Sequence, residues 1–138
     1  MRDEHYILNL CDEILGCDAS RQHRFDFLRG DAGKRNIGSK LPVDGYYEKY
    51  KLVIEYHERQ HTQTIEFFDR RDTISGVSRG EQRKIYDQRR RDILGSPEIG
   101  ICLIELHCNE FKLKGKRKLQ RDEKSDEAVI RERLSKFL

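Results

Sequence analysis

Long apolar runs are missing from this chain. No stretch approaches the ~20 residues needed to cross a bilayer, and the charged start Arg2, Asp3, Glu4 lacks the apolar core of a signal peptide. The expectation is therefore a cytoplasmic protein with no membrane partner. Internal repeats and low-complexity tracts are absent too, which sets aside repeat arrays and biased linkers. A large excess of one charge is also lacking: charged residues reach 38%, yet the net charge is only +3, so the surface is mixed in sign and carries no polybasic tail. The four cysteines, Cys11, Cys17, Cys102 and Cys108, lack metal-knuckle spacing, because five residues separate the members of each pair. They read as reduced, mostly buried thiols. A structural Zn²⁺ held with His107 is the weaker alternative.

What is present is enough for one domain. A chain of 138 residues that is 36% hydrophobic buries a single modest core. Its charges are unevenly placed. The segment 79–94 carries Arg79, Arg83, Lys84, Arg89, Arg90 and Arg91 against Glu81, Asp87 and Asp92. The segment 112–124 carries Lys112, Lys114, Lys116, Arg117, Lys118, Arg121 and Lys124 against Asp122 and Glu123. Two basic segments flanking a cluster of acids suit a phosphate-backbone partner; the plainer account is two solvated faces.

The stretch LPVDGYYEKYKLVIEYHERQH, residues 41–61, organises the rest. Val43 to Tyr46 and Lys51 to Tyr56 are β-branched and aromatic runs joined by Glu48-Lys49-Tyr50, the pattern of an antiparallel hairpin. Symmetry about the Lys49–Tyr50 bond places Asp44 opposite Glu55. Facing Cβ atoms are then roughly 5 Å apart, and like charges there repel unless a cation lies between them. Hard oxygen ligands at that separation suit Mg²⁺. Alternation places Val53, Glu55 and His57 on one face and Leu52, Ile54 and Tyr56 on the other, so that His57 points toward the acids. A solvated face neutralised by Lys51 or Arg59 accounts for the same spacing.

Along the remainder, Asp3 to Leu15 is expected as a helix capped by Asp3 and ended by Gly16, with Glu4 complementing the dipole. Arg24 to Leu28 alternates like a short strand, and Gly30 to Ser39 is a charged loop in which Lys34, Arg35 and Lys40 offer phosphate contacts. Thr64 to Phe68 continues as a strand and Asp69 to Gly76 is turn-rich. Ser78-Arg79-Gly80-Glu81 is a capping box, so a helix runs from there to Leu94 with Ile85, Tyr86, the Arg89 stem and Ile93 inward. Asp87 sits near the edge of that stripe. Ile99 to Leu106 reads as a strand covered on both faces, Phe111 to Leu119 as a basic hairpin turning at Gly115, and Asp126 to Leu138 as a final helix capped by Ser125. The sum is an α/β (α+β) fold, a mixed sheet flanked by helices, with residues 111–138 as a C-terminal extension of the same single domain.

The run DGYYEKYKLVIEYHERQH resembles the D-x-Y-x-P-x-Y-x-L-x-I-E-x-D-G-x-Q-H signature of the restriction-endonuclease-like superfamily, PD-(D/E)xK, near the branch of very-short-patch repair and related homing endonucleases. The resemblance spans roughly Glu4 to Leu106, with the specific motif confined to the hairpin. It implies that Asp44 and Glu55 bind the metal, with the Tyr56 carbonyl completing the coordination. His57 stands where the commonest motif has lysine and this branch has aspartate, and Glu58 replaces the glycine of the signature. Gln60 and His61 match the terminal Q-H, where the histidine serves as base or orients water. Glu4 and Asp87 match the helix glutamate and later aspartate of the homing branch.

The function expected is a Mg²⁺-dependent endodeoxyribonuclease, with Mn²⁺ able to substitute, acting on double-stranded DNA. Arg83, Arg90, Arg91, Lys116, Arg117 and Lys118 would grip the backbone without reading sequence. A chain this short cuts both strands only as a homodimer or by two nicks. Two other classes stay open: a non-catalytic nucleic-acid-binding module on the same fold, and a zinc-stabilised interaction domain built on the cysteines and His107.

Overall fold

The computed structural model describes residues 1–32, 38–58 and 78–138. The expectations for Lys34, Arg35, Gln60, His61, the strand at 64–68 and the turns at 69–76 fall outside the described residues. Among those described there are three α-helices, α1 (Asp3–Leu15), α2 (Arg79–Leu94) and α3 (Glu123–Arg133). The strands are β1 (Ser20–Arg29), β2 (Lys40–Tyr47), β3 (Leu52–His57), β4 (Cys102–His107), β5 (Leu113–Lys114) and β6 (Lys118–Leu119). The first four form one mixed sheet in the order β1-β2-β3-β4. In it β2 runs antiparallel to β3, and β3 parallel to β4. β5 and β6 make a separate ribbon that turns at Gly115, whose φ of 89° only glycine adopts cheaply. The class is α+β. β1 is longer than the alternation at Arg24 to Leu28 indicates, because its residues lie beside β2 in the sheet whether or not their side chains alternate.

The residues cluster as two compact units, one made of 1–23, 43–61 and 102–138, the other of 24–42 and 62–101. In the first unit α1 forms because Ile7, Leu10, Cys11 and Ile14 recur at helical spacing, and it buries Tyr6, Ile7, Leu8, Leu10, Cys11 and Leu15. It stops at Gly16, which takes φ 74° and returns its N–H to the Asp12 carbonyl at 2.9 Å. That face packs with Leu52, Ile54 and Tyr56 of β3, Ile104 and Leu106 of β4, and Ile130 and Leu134 at the C-terminal end. Alternation therefore leaves Val53, Glu55 and His57 for the opposite face, as the hairpin pattern requires. α1 comes so close to β2 that a Cβ on Gly45 would stand 3.1 Å from the Leu8 side chain and 3.2 Å from Ala19.

Three expectations in this unit need correction. Asp3 does not cap α1: Arg2 holds the cap position, and the Asp3 carboxylate instead accepts from Leu119 N–H at 3.0 Å and Arg121 at 2.9 Å. Those donors tie the ribbon to the helix start. α3 begins at Glu123 and is capped by Asp122, not Ser125, with the Asp122 carboxylate accepting from Ser125 N–H at 3.3 Å. The shift follows from Asp126, which turns inward, only 1% exposed, to accept from the Tyr6 hydroxyl at 2.6 Å and so belongs to the first helical turn. β4 is not covered on both faces: Ile104 and Leu106 are buried, while Leu103, Glu105 and His107 alternate with them half-buried. A face carrying a glutamate and a histidine keeps polar partners in reach.

In the second unit α2 starts as its capping box dictates, with Ser78 Oγ accepting from Glu81 N–H at 3.2 Å. Its apolar stripe is thinner than the spacing indicates, for Ile85 is 40% exposed. Polar contacts fix it in place: the Tyr86 hydroxyl accepts from Asp31 N–H at 2.9 Å, and Arg89 donates to the Arg29 carbonyl at 3.1 Å and to Asp31 at 2.8 Å. Phe25, Leu28, Leu41, Leu94 and Ile101 are its buried apolar residues among those described.

The Tyr6–Asp126 bond joins α1 to α3 inside the core, and its loss would leave a buried carboxylate without its hydroxyl donor. Tyr6→Phe should lower the unfolding free energy by about 1–3 kcal/mol in urea titrations. A change below about 0.5 kcal/mol would show that this docking does not depend on the bond.

Candidate active site

The hairpin closes through a short 3₁₀ turn, Glu48–Tyr50, followed by Lys51 at φ 47°. Its register pairs Gly45 with Ile54, Tyr46 with Val53 and Tyr47 with Leu52. One further step sets Asp44 across from Glu55. There the carboxylates take over part of the ladder: Glu55 Oε2 accepts from Asp44 N–H at 2.9 Å, and Asp44 Oδ2 accepts from Tyr56 N–H at 2.8 Å. Each acid is thus held by backbone of the opposite strand, and Glu55 is 6% exposed. Charge-assisted bonds of this kind fix the carboxylates in place.

The other oxygen of Asp44 meets α1 and β1. Gln22 Nε2 donates to Asp44 Oδ1 at 3.4 Å and to Glu4 Oε2 at 3.2 Å, so one amide spans two acids. To do so Gln22 adopts φ 48° within a strand, a conformation uncommon for a side-chain-bearing residue and costing on the order of 1–3 kcal/mol. Burial raises the Glu4 carboxyl to about 7, and the neighbouring Asp44 adds to the effect by its charge and by a hydrogen bond, against the lowering influence of Arg2 and Gln22. Glu4 thus keeps its proton more readily than an ordinary carboxyl. Glu4, Asp44 and Glu55 are therefore brought together from three elements of the first unit.

On the sheet, β3 and β4 pair Glu55 with Glu105 and His57 with His107. His57 Nε2 lies 3.0 Å from Glu105 Oε1, and its ring stacks on His107 with centroids 5.0 Å apart. Glu105 is the residue that sequence reasoning passed over, although an acid inside the apolar run IGICLIEL was a visible signal. Gln22 had no such signal, since nothing in SRQHRFDFLR announces a positive φ.

Of the other expected site residues, Asp87, Arg90 and Arg91 have partners of their own. Asp87 belongs to the second unit and accepts from Arg90 at 3.1 Å. Arg90 also donates twice to the Pro42 carbonyl, at 3.2 and 3.1 Å, and Arg91 donates to Gln88 at 3.2 Å. Arg83 is exposed on α2. Lys116, Arg117 and Lys118 stand exposed on the β5–β6 ribbon. The four thiols are free, and burial pushes Cys11 up to about 12. Cys108 donates to the Glu58 carbonyl at 3.1 Å.

Among the described residues no three His, Cys, Asp or Glu side chains form a ready-made ligand group. Magnesium does not need one, because it keeps several waters and is often bound through one or two carboxylates. The Asp44 and Glu55 pair, with Glu4 beside it, fits that demand in donor type: hard oxygens and like charges that face each other, kept in place by backbone. No protein-family model matches the chain, and no curated protein or solved structure is significantly similar to it.

Glu4 makes a sign-specific prediction for the protein without divalent metal. Its folded value of about 7 lies above the ordinary 4.5, so the folded state binds more protons between those pH values. Stability is then greatest below about pH 4.5 for this group and falls as pH rises through 7. With solvent screening the loss should amount to about 1–2 kcal/mol. Glu4→Gln should flatten that part of the stability curve; an unchanged slope would remove Glu4 from the carboxyl cluster.

Proposed function

We propose that this protein is a metal-dependent endonuclease of the restriction-endonuclease-like kind, hydrolysing phosphodiester bonds of double-stranded DNA. The observation that carries the reading is the convergence of Glu4, Asp44 and Glu55, held by the backbone of Asp44 and Tyr56 and bridged by Gln22. Such a cluster repels phosphate unless a cation intervenes. The order of elements gives further support: a helix bearing a glutamate, an acidic hairpin, a basic helix, and a strand parallel to the second arm of the hairpin.

Asp44 and Glu55, with the Tyr56 carbonyl, would hold Mg²⁺ or Mn²⁺. When bound, that ion polarises the scissile phosphate and lowers the pKa of a water. The chain's own part is orientation and proton handling. Asp44 and Glu55 are fixed by N–H donors and need little rearrangement. With a cation held there, Glu4 would release its own proton to solvent. His57 stands in the place of the motif lysine, 3.0 Å from Glu105, and would accept a proton from water or orient it. Glu105 acts by holding the ring, as carboxylates commonly do for functional histidines.

The test is nicking of supercoiled plasmid with Mg²⁺ or Mn²⁺, against EDTA. Asp44→Ala and Glu55→Ala should each lower the rate at least about 100-fold while leaving DNA affinity within a few-fold. Glu105→Ala should cost about 10–100-fold. Cleavage that survives loss of Asp44 or Glu55 would refute the assignment, and metal-independent binding without any cleavage would favour a non-catalytic module.

A further inference from the structure

We infer that the groove between the start of α1 and the β5–β6 ribbon is a track for the sugar–phosphate backbone of duplex DNA beside the acid cluster. The groove encloses about 760 Å³, and five cations line it: Arg2, Lys114, Arg117, Lys118 and Arg121. Two acids, Asp3 and Glu58, line it as well. Asp3 and Arg121 neutralise each other at 2.9 Å, and Asp3 also takes the Leu119 N–H at 3.0 Å. Four cations then face one acid, a local charge of +3 in a chain whose net charge is +3. Arg2, Lys114, Arg117 and Lys118 are all exposed, and among the described residues none is ion-paired to a carboxylate. Such a concentration of charge carries a cost that a polyanion removes.

Position argues for the same occupant. Asp3 precedes Glu4 in α1, and Glu58 follows His57 at the end of β3, so two lining residues are chain neighbours of the candidate site. The acids alone repel a phosphate chain; a cationic track next to them holds the phosphates that flank the one being attacked. Among the described residues no aromatic ring lines the groove, and Tyr6, beneath the Arg121 guanidinium at 5.0 Å, is buried. Without a stacking platform the contacts are charge to phosphate, independent of sequence and strongly salt-dependent. The inference rests on the proposed DNA substrate and not on cleavage.

The test is binding of the full chain to a fluorescein-labelled DNA duplex, followed by anisotropy in EDTA across a KCl series. The variant Lys114→Ala/Arg117→Ala/Lys118→Ala is compared with Lys49→Ala/Arg131→Ala/Lys136→Ala, which removes the same charge elsewhere; circular dichroism verifies that both fold. The slope of log K against log[KCl] should fall by about 2–3 in the groove variant, near 0.9 per lost phosphate contact. Affinity at ~0.1 M KCl should drop at least about 10-fold, and the control should change the slope by less than about 0.5. Equal changes in the two variants, no binding by the unaltered chain, or displacement by polyglutamate as easily as by DNA would overturn the track. Groove-dependent binding without nicking would instead overturn the nuclease reading and leave the track standing.

Discussion

Two carboxylates set across an antiparallel strand pair repel each other, and here the repulsion is met in a particular way. Asp44 and Glu55 each accept an N–H from the facing strand, so the ladder between β2 and β3 passes from backbone to side-chain acceptors at the point where the acids meet. Much of the first unit depends on keeping that pair in register. Gly45 lets α1 approach β2 closely, which brings Glu4 toward Asp44. Gln22 accepts an unfavourable φ in order to place one amide between the two carboxylates. A strained residue and a carboxyl raised to about 7 in one small region are the marks of a site shaped for something other than stability.

The features legible in the sequence were those set by local periodicity and counting. A hairpin symmetric about Lys49–Tyr50 gives its register by arithmetic, and the observed pairs Gly45–Ile54 and Tyr47–Leu52 obey it. Hydrophobic spacing and Gly16 bound α1, while Ser78 and Glu81 start α2 through a capping geometry that leaves little choice. Gly115 marked the ribbon turn for the same reason.

What could not be read depended on partners distant in the chain. In isolation Asp3 looks like a helix cap and Asp126 like the first residue of its helix, but Leu119, Arg121 and Tyr6, each more than a hundred residues away, recruit them instead. Ile85 follows a helical stripe, yet α2 is held through Tyr86 and Arg89 to Asp31 and Arg29. Glu105 reaches His57 only because β4 runs parallel to β3 in one particular register, and no local pattern encodes a parallel register.

We propose a divalent cation held by Asp44 and Glu55, with Glu4 beside them. The most direct test is paramagnetic broadening by Mn²⁺ in the ¹H–¹⁵N spectrum of the full chain. The amide signals of Glu4, Gln22, Asp44 and Tyr56 should broaden first, at substoichiometric metal, and recover on addition of excess Mg²⁺. Broadening centred on another acidic segment, such as Asp122 and Glu123, or spread evenly over exposed carboxylates, would contradict the account.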